Sequence, residues 1–254
     1  MEREYKFRMG WARLLAMLCI NSCHVLQAQD NQLCLVLNVG VPVFLFLSGY
    51  LYGGKRIENI PKFYITRAIR ILIPYYLMLL VILLVNVIRG ISFSPKELLS
   101  MLLCQQWYGT TVAKSGHLWY ISCILFCYLI TPLLESIAQK TKNISHIKLC
   151  VLLCTGAVLL QLIRSLGGIS QNVYSIVPYI AGYFWSYRLQ TAHCRKKNGL
   201  WTALACGCLI GLIAKYLLET KGFSVPGILY EYYKSVSGIV FALFCINVLD
   251  RKNV

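Results

Sequence analysis

The sequence predicts an all-α fold: a polytopic integral membrane helical bundle of about eight transmembrane helices, with both ends in the cytoplasm. Three observations carry that prediction. Of the 254 residues, 58% are hydrophobic and only 13% are charged, whereas a soluble domain averages about 45–50% apolar and about 25% charged residues. The mean hydropathy is +0.63, and a soluble core of this length cannot hide so much apolar surface, so lipid must cover it. Third, the Lys and Arg residues sit in short clusters between long apolar runs. A net charge of +16 would otherwise suggest nucleic acid as a partner, but clustering between spans is the signature of topology.

A spanning helix needs about 20 mostly apolar residues. The first candidate covers residues 11–27. Basic residues, an apolar run and Ala28 imitate a secretory signal there. Asn21, Ser22 and His24 interrupt the run, so it reads as a retained first helix. The second span covers 33–52 and the third 69–88, with Pro74 as a candidate kink. Residues 98–108 are apolar but too short to span, and are expected at the membrane interface. The fourth span covers 118–137, and four more cover 147–166, 173–187, 200–218 and 228–249. The sixth is short, and the eighth carries Lys234 early.

The charges orient this set. Arg3, Lys6, Arg8 and Arg13 precede or open the first helix, and Lys55, Arg56, Lys62, Arg67 and Arg70 lie between the second and third. Lys140, Lys142 and Lys148 follow the fourth, Arg188, Arg195, Lys196 and Lys197 follow the sixth, and Arg251 and Lys252 end the chain. The loop at 27–32 has neither Lys nor Arg. Every second connection is therefore basic, which places the basic loops and both termini inside. With no Pro/Ser-rich linker and no internal repeat, residues 1–254 read as one membrane domain. The 12 cysteines are spread through the apolar runs. The closest pairs, Cys123/Cys127, Cys150/Cys154 and Cys206/Cys208, make no zinc spacing with His, so they read as small apolar residues with neither metal nor disulfide role.

Charged groups inside a bilayer cost about 2.5–3.5 kcal/mol on insertion scales, so each has to be accounted for. Arg13 and His24 are eleven residues apart, close to three helical turns, and so share a face with a rise of roughly 16 Å between them. Arg13 reads either as a snorkelling anchor or as a site residue. His24 reads either as a packed histidine or as a general base. Arg67 and Arg70 share a helix face at the cytoplasmic entrance to the third span. They read as positive-inside anchors or as two guanidinium forks for phosphate oxygens. Ser48-Gly49 reads first as tight helix packing. Trp119 and Tyr120 fit an outer aromatic belt, beside which His117 could line an entrance. His146 and His193 lie in basic loops and read as solvated. These residues suggest a cytoplasmic polyanionic donor and a deeper proton-abstracting base, without naming the reaction.

Taken together, the motifs resemble the membrane-bound acyltransferase-3 family, whose members acylate cell-surface glycans. The Arg13-to-His24 spacing matches the family's R-x10-H pattern on its first helix. The runs VPVFLFLSGYLY, FYITRAIRILIPYY and HLWYISCILFCYLITPLL are similar to its second, third and fourth helices. The match is strongest over the first half of the chain. The resemblance implies an O-acyltransferase of the bacterial cytoplasmic membrane. It implies that an acyl group, usually acetyl, moves from cytoplasmic acyl-CoA to a sugar hydroxyl of a surface or secreted polysaccharide. In that reading His24 is the general base and Arg13 its catalytic partner. Arg67 and Arg70 hold the CoA phosphates, and Ser48, His117 and Trp119 contact substrate. Donor, glycan acceptor and lipid bilayer are the partners, no metal or nucleic acid is involved, and polysaccharide-biosynthesis proteins or a second copy are further candidates. The family carries a further pair of helices beyond the last span read here. That difference sustains an alternative: a non-enzymatic polysaccharide export or accessory protein, or an inactive truncated homologue. A generic small-molecule transporter would need matching broken helices in two halves, which the sequence does not display.

Overall fold

The computed structural model describes residues 2–106, 112–113, 115–141, 155–156, 159, 162–163, 166, 175–191 and 198–248. Every regular element among them is helical: α1 (Glu2–Gln27), α2 (Cys34–Leu37), α3 (Gly40–Tyr50), α4 (Ile60–Ile88), α5 (Pro95–Leu102), α6 (Trp119–Lys140), α7 (Ile176–Thr191), α8 (Asn198–Thr220) and α9 (Gly227–Val248). A short 3₁₀ turn, Gly116–Leu118, leads into α6.

Among the described residues five helices are long and apolar enough to cross a membrane: Met9–Gln27, Ile60–Ile88, Gly116–Lys140, Gly199–Thr220 and Leu229–Asn247. They coincide with the first, third, fourth, seventh and eighth expected spans. The sixth corresponds to α7, which has 16 residues. The fifth, at 147–166, lies almost wholly outside the described residues, as do His146 and His193. The second span differs from expectation, because it is divided into α2 and α3. Pro42 is the physical reason. It has no N–H to offer the Asn38 carbonyl one turn back, and its ring crowds that carbonyl. Asn38 instead closes α2 with its own N–H on the Cys34 carbonyl. Pro74, by contrast, lies inside a continuous α4.

The ends of the long helices are specified locally. The Asn59 side chain accepts from the Lys62 N–H at 2.9 Å, capping α4, and Pro61 sits in its first turn. At the other end Gly90 has φ +67, a left-handed conformation that costs a residue without Cβ little. Its N–H reaches the Val87 carbonyl and the Ile91 N–H reaches Asn86, which completes a Schellman cap. Ser94 and Glu97 form a reciprocal capping box at the start of α5.

The chain divides into two compact units, Met1–Gly54 with Val177–Val254, and Lys55–Ile176. In the first, α1 and α9 pack on α3, and α8 packs on α9. All but one of the 11 residues of α3 are buried. Glycines bring the backbones together. A Cβ on Gly49 would overlap the Tyr179 carbonyl oxygen, and one on Gly182 would overlap that of Phe46. Gly49 and Gly182 thus form a reciprocal contact between α3 and α7, the close approach that small residues permit in membranes. On α1, Met9, Ala12, Ala16 and Cys23 are buried while Leu15, Leu18 and Val25 are exposed.

In the second unit α4 packs against α6. Only Tyr75, Leu79, Ile82 and Asn86 of α4 are buried, a single stripe with helical spacing. Leu77, Leu80, Val87 and Ile88 are all more than half exposed, Ile88 at 83%. A helix that hides Asn86 and exposes its aliphatic residues is built for lipid, where backbone and side-chain polar groups must be satisfied inside the protein.

Candidate active site

In the first unit α1 is unbroken from Glu2 to Gln27, so Arg13 and His24 do lie on one helix face with a rise of roughly 16 Å between them. Both are half-buried, on the flank of the packed stripe. The Arg13 guanidinium carbon sits 5.8 Å from the centre of the Phe44 ring of α3, a cation–π contact. Its Nε is buried with no hydrogen-bond partner among the described residues. Next to α1 is a cavity of about 240 Å³ whose lining includes Ala12, Ala16, Cys19, Gly40, Leu212 and Phe241. Those α1 residues point roughly 100° away from Arg13 and His24, and the lining is apolar, so the cavity holds no reacting group.

Ser48 is 1% exposed and its hydroxyl donates to the Phe44 carbonyl one turn back at 2.8 Å. That bond occupies its proton within α3, the packing role that Ser-Gly suggested.

In the second unit Arg67 and Arg70 both lie on α4, in different surroundings. The Arg67 guanidinium carbon is 6.0 Å from the Phe63 ring and 5.9 Å from the Tyr128 ring of α6. Arg70 is exposed. Arg67 is thus oriented by aromatic faces. His117, in the 3₁₀ turn, is half-buried. Trp119 packs edge-on to Tyr120, with centroids 6.4 Å apart.

Sequence reasoning missed a buried polar network in this unit. The Tyr75 hydroxyl donates to the Met101 carbonyl at 2.5 Å and accepts from Gln106 Nε2 at 2.6 Å. The Ser122 hydroxyl of α6 lies between the Gln106 side-chain oxygen and the Cys104 carbonyl, which share its one proton. Asn86 Nδ2 donates to the Ala113 carbonyl at 3.0 Å. These bonds tie α5 and the chain after it to α4 and α6. Burial pushes the Cys104 thiol up, against the opposing effect of the adjacent Tyr75 and Tyr76 hydroxyls. The polar residues buried in apolar runs were the available signal, but their partners are 16–31 positions away.

A second missed group is in the first unit. Lys215 of α8 pairs with Glu219, and Lys234 of α9 pairs with Glu231 at 2.7 Å. The two ammonium groups lie 5.3 and 5.6 Å from the centre of one ring, Tyr230. The Tyr230 hydroxyl donates to the Leu35 carbonyl at 2.8 Å.

The family model that matches the chain is an acyltransferase domain, acyltransferase-3, over residues 7–252. No curated protein and no solved structure matches it. The matched range takes in α1 from its first turns through α9, and the chain therefore belongs to the acyltransferase-3 family of membrane acyltransferases.

Proposed function

We propose that the protein is an integral membrane O-acyltransferase of the bacterial cytoplasmic membrane. It moves an acyl group, acetyl in the first instance, from cytoplasmic acyl-CoA to a sugar hydroxyl of a surface or secreted polysaccharide. The observation that carries this reading is the single continuous helix bearing Arg13 and His24 on one flank, inside a chain of this family.

The chemistry asks little of the protein. A thioester is already activated, so the enzyme has to position the acceptor and remove its proton. A neutral His24 imidazole takes the proton of the sugar hydroxyl as the oxygen attacks the thioester carbonyl. The tetrahedral intermediate collapses by breaking the C–S bond, and the departing CoA thiolate takes from His24 the proton that came from the sugar hydroxyl. Arg13 and His24 are separated by roughly 16 Å along the axis, a depth that a flexible thioester arm has to cover. In the second unit Arg70, exposed on α4, is suited by its chemistry to phosphate oxygens, and Arg67 is oriented by Phe63 and Tyr128.

The test is the O-acetyl content of the surface glycan in cells lacking the gene, complemented with wild type or with His24→Ala. The expected outcome is restoration by wild type alone. Acetylation that does not change on deletion would remove the proposed acceptor and acyl group, and would favour an export or accessory role.

A further inference from the structure

The Lys215–Glu219 and Lys234–Glu231 pairs are used by no step above, and buried charge in a membrane bundle calls for a function. Their position is specific. Lys215 and Glu219 lie in the last turns of α8, and Tyr230, Glu231 and Lys234 in the first turns of α9. Leu35, the acceptor of the Tyr230 hydroxyl, lies in α2. The thiol of Cys23, the residue before His24, donates to the carbonyl of Cys34, the neighbour of Leu35, at 3.3 Å. The cluster thus gathers at the end of this unit where α1 carries His24.

Its hydrogen-bonding capacity is not exhausted. Lys215 is 8% exposed and Lys234 is 6% exposed. An ammonium has three donors. Among the described residues Lys215 spends one on Glu219, and Lys234 spends its donors on the two oxygens of Glu231. The Glu219 and Glu231 side chains remain 25% and 16% exposed, so they can be reached from outside. Two lysines and two glutamates cancel in charge. An anion would gain little from such a group, because each ammonium already faces a carboxylate. A neutral polyol suits it, since every hydroxyl both donates to a carboxylate and accepts from an ammonium.

We propose that this cluster is an acceptor subsite, in which a neutral sugar residue is held by hydrogen bonds to the Lys215–Glu219 and Lys234–Glu231 pairs at the His24 end of the unit. The identity of the sugar as acceptor rests on the acyl-transfer reading; the binding itself does not. Lys215 and Lys234 are positioning residues in this account, since they do not touch the reacting atoms.

The experiment uses the purified full chain and two probes: acetyl-CoA, and short neutral oligosaccharides cut from the O-deacetylated surface polysaccharide of cells lacking the gene. Oligosaccharide binding is followed by saturation-transfer NMR, and acetyl-CoA consumption is followed by CoA release. The variants are the double replacements Lys234→Met with Glu231→Leu and Lys215→Met with Glu219→Leu. Replacing a buried ion pair by apolar residues of similar size is commonly neutral or stabilising, so these variants keep the fold. Each should weaken oligosaccharide binding by about tenfold or more, equivalent to about 1.4 kcal/mol, while the KM for acetyl-CoA stays unchanged. Unchanged oligosaccharide affinity in both variants overturns the subsite, as does absence of binding to the wild type or preference for an anionic fraction. Oligosaccharide binding that needs the two pairs, without sugar-dependent CoA release, overturns the acyl-transfer reading and leaves the subsite standing.

Discussion

Two apolar helices, α3 in one unit and α4 in the other, meet opposite surroundings. Nearly every residue of α3 is buried, including Gly40, Pro42, Ser48 and Gly49, and its contacts run to α1, α7 and α9. Only four residues of α4 are buried, and two of them, Tyr75 and Asn86, are polar. The difference lies in what replaces water. Around α3 it is other backbone, admitted by Gly49 and Gly182. Around α4 it is hydrocarbon on most faces, with polar groups turned inward to find partners. The same apolar composition therefore tolerates change in opposite ways: α3 resists added volume, and α4 resists added polarity.

The sharpest way to break this comparison is Gly49→Leu. Its side chain would meet the Tyr179 carbonyl and the Tyr183 amide, backbone that cannot move aside, so the loss should reach about 3 kcal/mol or more. In detergent the variant should aggregate on size-exclusion chromatography. Leu80→Arg, on the 54%-exposed face of α4, should cost about 2.5–3.5 kcal/mol of insertion free energy. Glycosylation mapping of membrane insertion checks it, and Leu80→Ala should insert normally. A smaller effect is expected for Tyr75→Phe. It removes the bond to Met101 and leaves Gln106 Nε2 without that acceptor, for about 1–3 kcal/mol. A lowered Tm of the purified protein is the readout. If Gly49→Leu folded normally while Leu80→Arg and Tyr75→Phe behaved as stated, the account of α3 would fail and that of α4 would stand.

Much of this was legible in the sequence, for physical reasons that also mark where legibility stopped. The span that became α4 was readable because hydropathy reports directly on lipid. The division of the second span into α2 and α3 was not anticipated, although Pro42 stood in the run; hydropathy does not distinguish a helix wrapped in lipid from one wrapped in protein. Arg13 and His24 could be placed on one face because a continuous helix fixes that relation from spacing alone. The network of Tyr75, Gln106 and Ser122, and the convergence of Lys215 and Lys234 on Tyr230, depend on contacts between elements. Lys215–Glu219 alone reads as an ordinary surface pair at i, i+4 spacing. Only packing reveals that its ammonium is buried beside Tyr230.

Acyl transfer through His24 is open to direct measurement. Purified protein in lipid nanodiscs would be given radiolabelled acetyl-CoA and O-deacetylated surface oligosaccharides, with transfer of label to sugar followed for wild type and His24→Ala. The account predicts labelled sugar from wild type and a loss of about 10²-fold or more in the variant, the lower end of what a positioned general base contributes, with acetyl-CoA binding retained. Equal transfer by the two proteins would contradict it and would remove His24 from the chemistry.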